Sequence, residues 1–290
     1  MTFAAAGAGA ACGDEAETLT ASYPEGPLWQ GDRLYYAEMR ADRVKIYEAG
    51  QARDFFAQPG CGPTAIAPYG EGFLILCHLG ARIVAVNAQG GETRRWDRDQ
   101  DGDPLTNPND ASADGAGGVY FTDPGPFSRQ AGARGRVMHL SADGALSRAV
   151  DFLSYPNGVH VKGDALYVSE HLGGRVLRYD VEAQGGLSGR TVFIDIANVA
   201  PSQRYQTPYA LTGPDGLEIG PDGDLYVAIY GEGRLLRFSP RGELVGEIET
   251  PTRFLTNIAF SEAGFVATTG AFDNRNAPFP GEVRLYSGTP

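Results

Sequence analysis

The stretch Pro156-Asn157-Gly158-Val159-His160-Val161-Lys162-Gly163-Asp164-Ala165-Leu166-Tyr167-Val168-Ser169-Glu170 decides how this chain folds. A Pro/Gly turn carrying one amide side chain leads into an apolar strand, Gly163-Asp164 reverses the chain, and a second strand runs over 165–170. A third follows over 174–180, again apolar and bounded by Gly and Asp. The same order recurs on both sides of this stretch. Its turns read Pro24-Glu25-Gly26, Gly62-Pro63-Thr64, Pro108-Asn109-Asp110, Pro214-Asp215-Gly216 and Leu255-Thr256-Asn257. The matching second strands fall at 34–38, 73–78, 118–123, 224–229 and 264–269.

Six such units in 290 residues give about 48 residues each, near the size of a four-stranded propeller blade. The expected fold is all-β: a six-bladed β-propeller of four-stranded antiparallel blades around a central channel. Residues 17–290 form that single domain and 1–16 a flexible N-terminal arm. A strand over 17–22 pairs with one over 281–286 and closes the ring, because closure removes the exposed edges of an open array. Forty glycines and 19 prolines suit many short strands and turns and argue against long helices. Pairs such as Asp143-Gly144 and Asp222-Gly223 read as hairpin turns, and the acidic run 97–103 as a solvated loop.

A net charge of −12 disfavours nucleic acid as a partner, since that needs a basic surface to displace counterions. No segment approaches the roughly 18 consecutive apolar residues of a membrane span. The start of the chain lacks the charged and apolar regions of a signal peptide, so a cytoplasmic location is expected. Cys12, Cys61 and Cys77 have no metal-ligand spacing and read as buried free thiols. The expected partner is a small-molecule substrate, and the expected state a monomer or small homo-oligomer.

The phase of the repeat carries the chemistry. In a propeller the innermost strand of every blade lines the channel, so equivalent first residues point to one axis. Glu25, Asn109, Asn157, Asp215 and Asn257 then converge although they are far apart in sequence. Any one of them before a glycine is an ordinary turn former. Together they make a hard, all-oxygen donor set suited to one divalent cation, Ca²⁺ first, with Mg²⁺ or Mn²⁺ as alternatives. Zn²⁺ is the least suited, since no Cys or His shares the set. Two insertions break the period, at 196–213 with Arg204, Tyr205 and Tyr209, and at 270–280 with Phe272, Asp273, Arg275 and Phe279. Both are expected at the channel mouth, where loops carry function.

Pro24-Glu25-Gly26-Pro27-Leu28-Trp29, Pro108-Asn109-Asp110 with Val119-Tyr120-Phe121-Thr122-Asp123-Pro124, Pro156-Asn157-Gly158-Val159 and Pro214-Asp215-Gly216-Leu217 together resemble the regucalcin/gluconolactonase (SMP-30/gluconolactonase/LRE-like) family of six-bladed propellers, in order and spacing, over nearly the whole chain. The resemblance implies that Glu25, Asn157 and Asp215 hold the cation and that Asp215 is also the catalytic general base. It makes Asn109 a further ligand or a substrate contact. It implies a metal-dependent hydrolase of lactones, and relatives with the same site hydrolyse organophosphates. Asn107 stands where sugar-lactonase members often carry an arginine, and the aromatic insertions point to a less polar substrate. Asn107, Asn109, Asp123, His171, Arg204 and Tyr205 are the expected substrate contacts. The other readings are a phosphotriester or organofluorophosphate hydrolase, a non-hydrolytic biosynthetic enzyme, and a binding scaffold with structural Ca²⁺. His78 and His171 are weaker candidates for a proton shuttle, and His139 and His160 read as structural. There is no Gly-x-Ser-x-Gly nucleophile elbow.

Overall fold

The computed structural model describes residues 14–201 and 212–287. Within them each repeat is a four-stranded antiparallel sheet. In the fourth, Pro156–Lys162, Ala165–Glu170, Arg175–Val181 and Leu187–Asp195 lie side by side in chain order. The inner strands of the six sheets are Pro24–Gln30, Pro63–Tyr69, Ala111–Ala113, Pro156–Lys162, Gly213–Ile219 and Phe254–Phe260. Each packs against the inner strands on either side until the ring closes. The architecture is the six-bladed propeller expected from the repeat.

Closure uses residues far apart in sequence. Asp14–Ser22 pairs antiparallel with Pro280–Ser287 and forms the outer strand of the sixth blade. It begins at Asp14 and not at 17, so residues 14–16, expected in the arm, belong to this strand, and residues 1–13 lie outside the described part. No helix among the described residues is long and apolar enough to cross a membrane.

The core lies between blades. Neighbouring residues of a strand point to opposite faces, and each sheet is covered on both. Tyr35 and Ala37 therefore pack with Ile66 and Ile75 of blade two, while Leu34 and Tyr36 pack with Val283 and Leu285 of blade six. Four further seams of the same kind complete the circle. This is why the second strands read as continuous apolar runs and not as alternating ones.

The motif residues are not free turns, as the sequence reading had them. Glu25, Asn157 and Asp215 are among the first residues of their inner strands and sit at β-bulges, where register slips between Glu25 and Leu28, Pro156 and Val159, and Pro214 and Leu217, while Asn109 stands just before Ala111–Ala113. A bulge turns a side chain out of the regular alternation and toward the channel. The glycine after the motif residue has a reason of its own in blades four and five. A Cβ on Gly158 would stand 2.4 Å from the Asp215 carbonyl oxygen, and one on Gly216 would stand 2.1 Å from Asn257 Cγ. Each glycine lets the next blade approach the axis.

A latch repeats behind these bulges. The second strands of blades one, three and four end in Glu38, Asp123 and Glu170. Each acid accepts the backbone N–H of the residue two before the motif proline: Ser22 (2.9 Å), Thr106 (3.1 Å) and Ser154 (2.7 Å). Each also pairs with an arginine of the third strand, namely Arg43, Arg136 and Arg175. In blade two the acid's place is taken by Cys77, and Cys61 stands two before Pro63. These cysteines form a disulfide, with Cα atoms 4.4 Å apart. The expectation of free thiols is corrected: the register that sets Pro63 opposite Cys77 brings the two sulfurs together. Cys12 lies outside the described residues. The bridge closes a separation of 16 residues, which restricts the unfolded chain by about 3 kcal/mol. Urea unfolding of the Cys61→Ser/Cys77→Ser protein should show a loss of that order, and an unchanged midpoint would mean that the bridge adds no stability.

The acidic run 97–103 is a second correction. Its Asp99 is buried, accepts the N–H groups of Asp101 and Asp103, and pairs with Arg148 at 3.2 Å. His139 is structural, as expected, and meets Asp114 at 2.9 Å.

Candidate metal centre and substrate cavity

Glu25, Asn109, Asn157 and Asp215, from blades one, three, four and five, line one cavity of about 260 Å³ at the channel mouth. Thr64 holds the corresponding place in blade two. Asn257 does not reach this cavity. It faces deeper in the channel, accepts the N–H of Ile258, and bonds Asp110.

The motif backbones are fixed from the neighbouring blade by hydroxyl groups. Thr122 donates to the Asn157 carbonyl (2.6 Å), Ser169 to the Asp215 carbonyl (2.5 Å) and Thr256 to the Pro24 carbonyl (2.9 Å). Thr64 donates to the Pro108 carbonyl at 3.2 Å. Four blade boundaries thus carry a hydroxyl link that sets where the next motif sits. Thr122 and Ser169 occupy the same phase of their second strands, one residue before the latch acid, a signal that was open to reading in the sequence.

The electrostatics of the pocket favour a cation. Burial first, then the negative charges of Asp215 and Asp110, push the Glu25 carboxyl well above its ordinary range. Asp215 is raised by burial and by Asp110, with a hydrogen bond from Asn157 acting in the opposite direction. Among the described residues neither carboxylate has a Lys or Arg ion pair. The buried Asp215 and the half-buried Glu25, two repelling carboxylates with amide oxygens beside them, form a hard oxygen donor set. Such a set fits a divalent cation, whose charge would offset both.

The rest of the wall is aromatic and was not foreseen. Tyr23 and Tyr155 stand just before the motif prolines of blades one and four, with φ of 51° and 57°. A left-handed tyrosine is uncommon and costs on the order of 1–3 kcal/mol, held here by the surrounding structure. Tyr23 and Tyr230 share a hydroxyl–hydroxyl hydrogen bond of 2.8 Å, and Asn274 of the second insertion donates to Tyr230. Burial pushes the Tyr230 hydroxyl up to about 12, so it stays protonated. His171 lines the cavity as expected, with its ring among Phe127, Tyr155 and Tyr230. His78 also lines it, and burial lowers its imidazole to about 4, so it is neutral near pH 7.

Two expected substrate contacts are not at the cavity. Asn107 exchanges both amide hydrogen bonds with the Gly125 backbone, at 2.8 and 2.7 Å. Asp123 is fully buried and engaged by Thr106, Asn107 and Arg136. Both shape the loop before Asn109, away from the cavity wall. Arg204 and Tyr205 lie outside the described residues.

Comparison with known proteins agrees with the propeller fold. A lactonase drp35 of Staphylococcus saprophyticus is 31% identical over 202 residues, and one of Staphylococcus aureus 30% over 209. The first match takes in 66% of this chain and 57% of the relative, so the chain spans less than two thirds of the curated relatives it matches. A gluconolactonase structure from Xanthomonas campestris superposes with a TM-score of 0.72 at 24% identity, covering 91% of this chain and 86% of the other. A calcium-binding regucalcin from Agrobacterium tumefaciens superposes at 0.74 with 19% identity, covering 97% and 98%. These likenesses establish the fold. Residues 23–268 match the SMP-30/Gluconolactonase/LRE-like region, and the chain belongs to that family.

Proposed function

We propose that this protein is a metal-dependent lactonase whose single divalent cation, Ca²⁺ in the first instance, is held by Glu25, Asn157 and Asp215. The observation that carries the reading is the convergence of two carboxylates and two amides, from four blades, on one aromatic-walled cavity. The lactonase relatives named above support the choice of a cyclic ester over other esters.

When bound, the cation supplies Lewis-acid polarisation of the ester carbonyl. Everything else is done by the chain. Asp215 takes the proton of the attacking water on a carboxylate oxygen. Asn109 lies at the same wall and orients the substrate ester. Tyr23, Tyr155 and Tyr230 stay protonated, offer flat apolar faces to the lactone ring and keep bulk water out. With Asn107 tied to Gly125 and off the cavity wall, that position does not contact substrate hydroxyls, which argues against an aldonolactone.

Chelator treatment should lower lactone hydrolysis by at least about a hundredfold, and Ca²⁺ should restore it. The melting temperature should fall on chelation, because a ligand bound only by the native state stabilises it. Undiminished hydrolysis after chelation would remove the cation from the reaction. Metal-restored protein that cleaves phosphotriesters and no lactone would transfer the site to phosphoryl chemistry, and a melting shift with no hydrolysis of either class would leave a scaffold.

A further inference from the structure

Arg40 is a charge with no ion-pair partner among the described residues at the mouth of this cavity. It belongs to the short helical turn Met39–Ala41 that follows the second strand of blade one. The acids beside it in sequence are already engaged: Glu38 by Arg43 and the Ser22 N–H, and Asp42 by the N–H groups of Gly60 and Gly62. Among the described residues Arg40 has no ion pair. Its side chain is nevertheless placed: the guanidinium lies 4.6 Å from the Phe279 ring centroid and 6.0 Å from that of Tyr23. Stacking on two aromatic faces holds the plane of the group while leaving its edge N–H donors open. The residue lines the cavity, and its charge adds to the lowering of His78, which burial chiefly causes.

We infer that Arg40 is a specificity-determining residue that selects lactones bearing a carboxylate substituent. The inference rests on the lactonase reading and goes further by naming the substrate class. A guanidinium edge matches a carboxylate with two parallel hydrogen bonds, and a pre-stacked one loses little freedom on binding. In a protein of net charge −12 an anionic substrate meets an unfavourable overall field, so a local cation at the entrance is needed to admit it. The aromatic wall takes the ring of such a lactone, and Arg40 takes the charge at its edge.

A matched pair tests this: γ-valerolactone, and the γ-lactone of α-hydroxyglutarate, which carries a carboxylate where the former has a methyl group. Wild-type protein should prefer the carboxylate-bearing lactone in kcat/KM. Arg40→Gln and Arg40→Ala should reduce the preference by about tenfold to a hundredfold, Arg40→Lys by less, and added salt should erode it in the wild type only. A preference that is absent in the wild type, or unchanged in Arg40→Gln, overturns the inference while leaving the lactonase reading intact. If neither lactone is hydrolysed the lactonase reading fails, and calorimetric titration with the same two intact lactones still decides the role of Arg40. Tighter binding of the anionic one by the wild type, lost in Arg40→Gln, supports it, and equal affinities reject it.

Discussion

Asp215→Asn should keep the fold and lower kcat for lactone hydrolysis by about a thousandfold, the scale on which a positioned general base contributes. The amide keeps an oxygen toward the cation and a polar contact to Asn157, so cation affinity should weaken while the site survives. The change also removes a buried negative charge that burial and Asp110 hold in an unfavourable state. Metal-free Asp215→Asn should therefore resist urea at least as well as the metal-free parent. Measuring turnover, cation titration and unfolding on one preparation separates the effects. Turnover within about threefold of the parent at saturating cation would exclude Asp215 as the base. A loss of fold would instead show that the carboxylate is structural.

The second large effect lies behind the site. Asp123→Ala should destabilise the protein by about 3–5 kcal/mol, since removing one member of a buried ion pair leaves the other charge uncompensated. Arg136 is 8% exposed and pairs with Asp123 at 2.8 Å, while its distance to Asp99 is 3.9 Å. The N–H groups of Thr106 and Asn107 would lose their acceptor as well. Denaturant unfolding reads the loss. Asp123→Asn keeps an acceptor oxygen and should cost less. If Asp123→Ala unfolds like the parent but raises KM severalfold, the residue belongs to substrate after all and the latch assignment is wrong.

That latch shows where the sequence was legible and where it was not. Glu38, Asp123 and Glu170 recur in one phase of the repeat, as do Ser22, Thr106 and Ser154, two residues before their prolines. Read together, these positions would have placed Asp123 in the frame and not in the cavity. They would also have paired Cys61 with Cys77, which occupy the same two places in blade two. Each residue taken singly has too many ordinary roles to be assigned. Arg40 and Tyr23 left no trace of this kind, because their significance depends on Phe279 and Tyr230, more than 200 positions away in the chain.

The sequence by itself determined the propeller, the closing strand and four of the residues that meet at the cavity. It did so because a ring of equivalent blades converts position within a repeat into position around an axis. Tertiary structure decided the rest: that Asn257 turns away from the cavity, that aromatic side chains wall it, and that one arginine at its mouth has no ion pair among the described residues. Those outcomes come from contacts between blades and from insertions that follow no period. A local pattern fixes which face of a strand a residue occupies, and only packing fixes what it meets there.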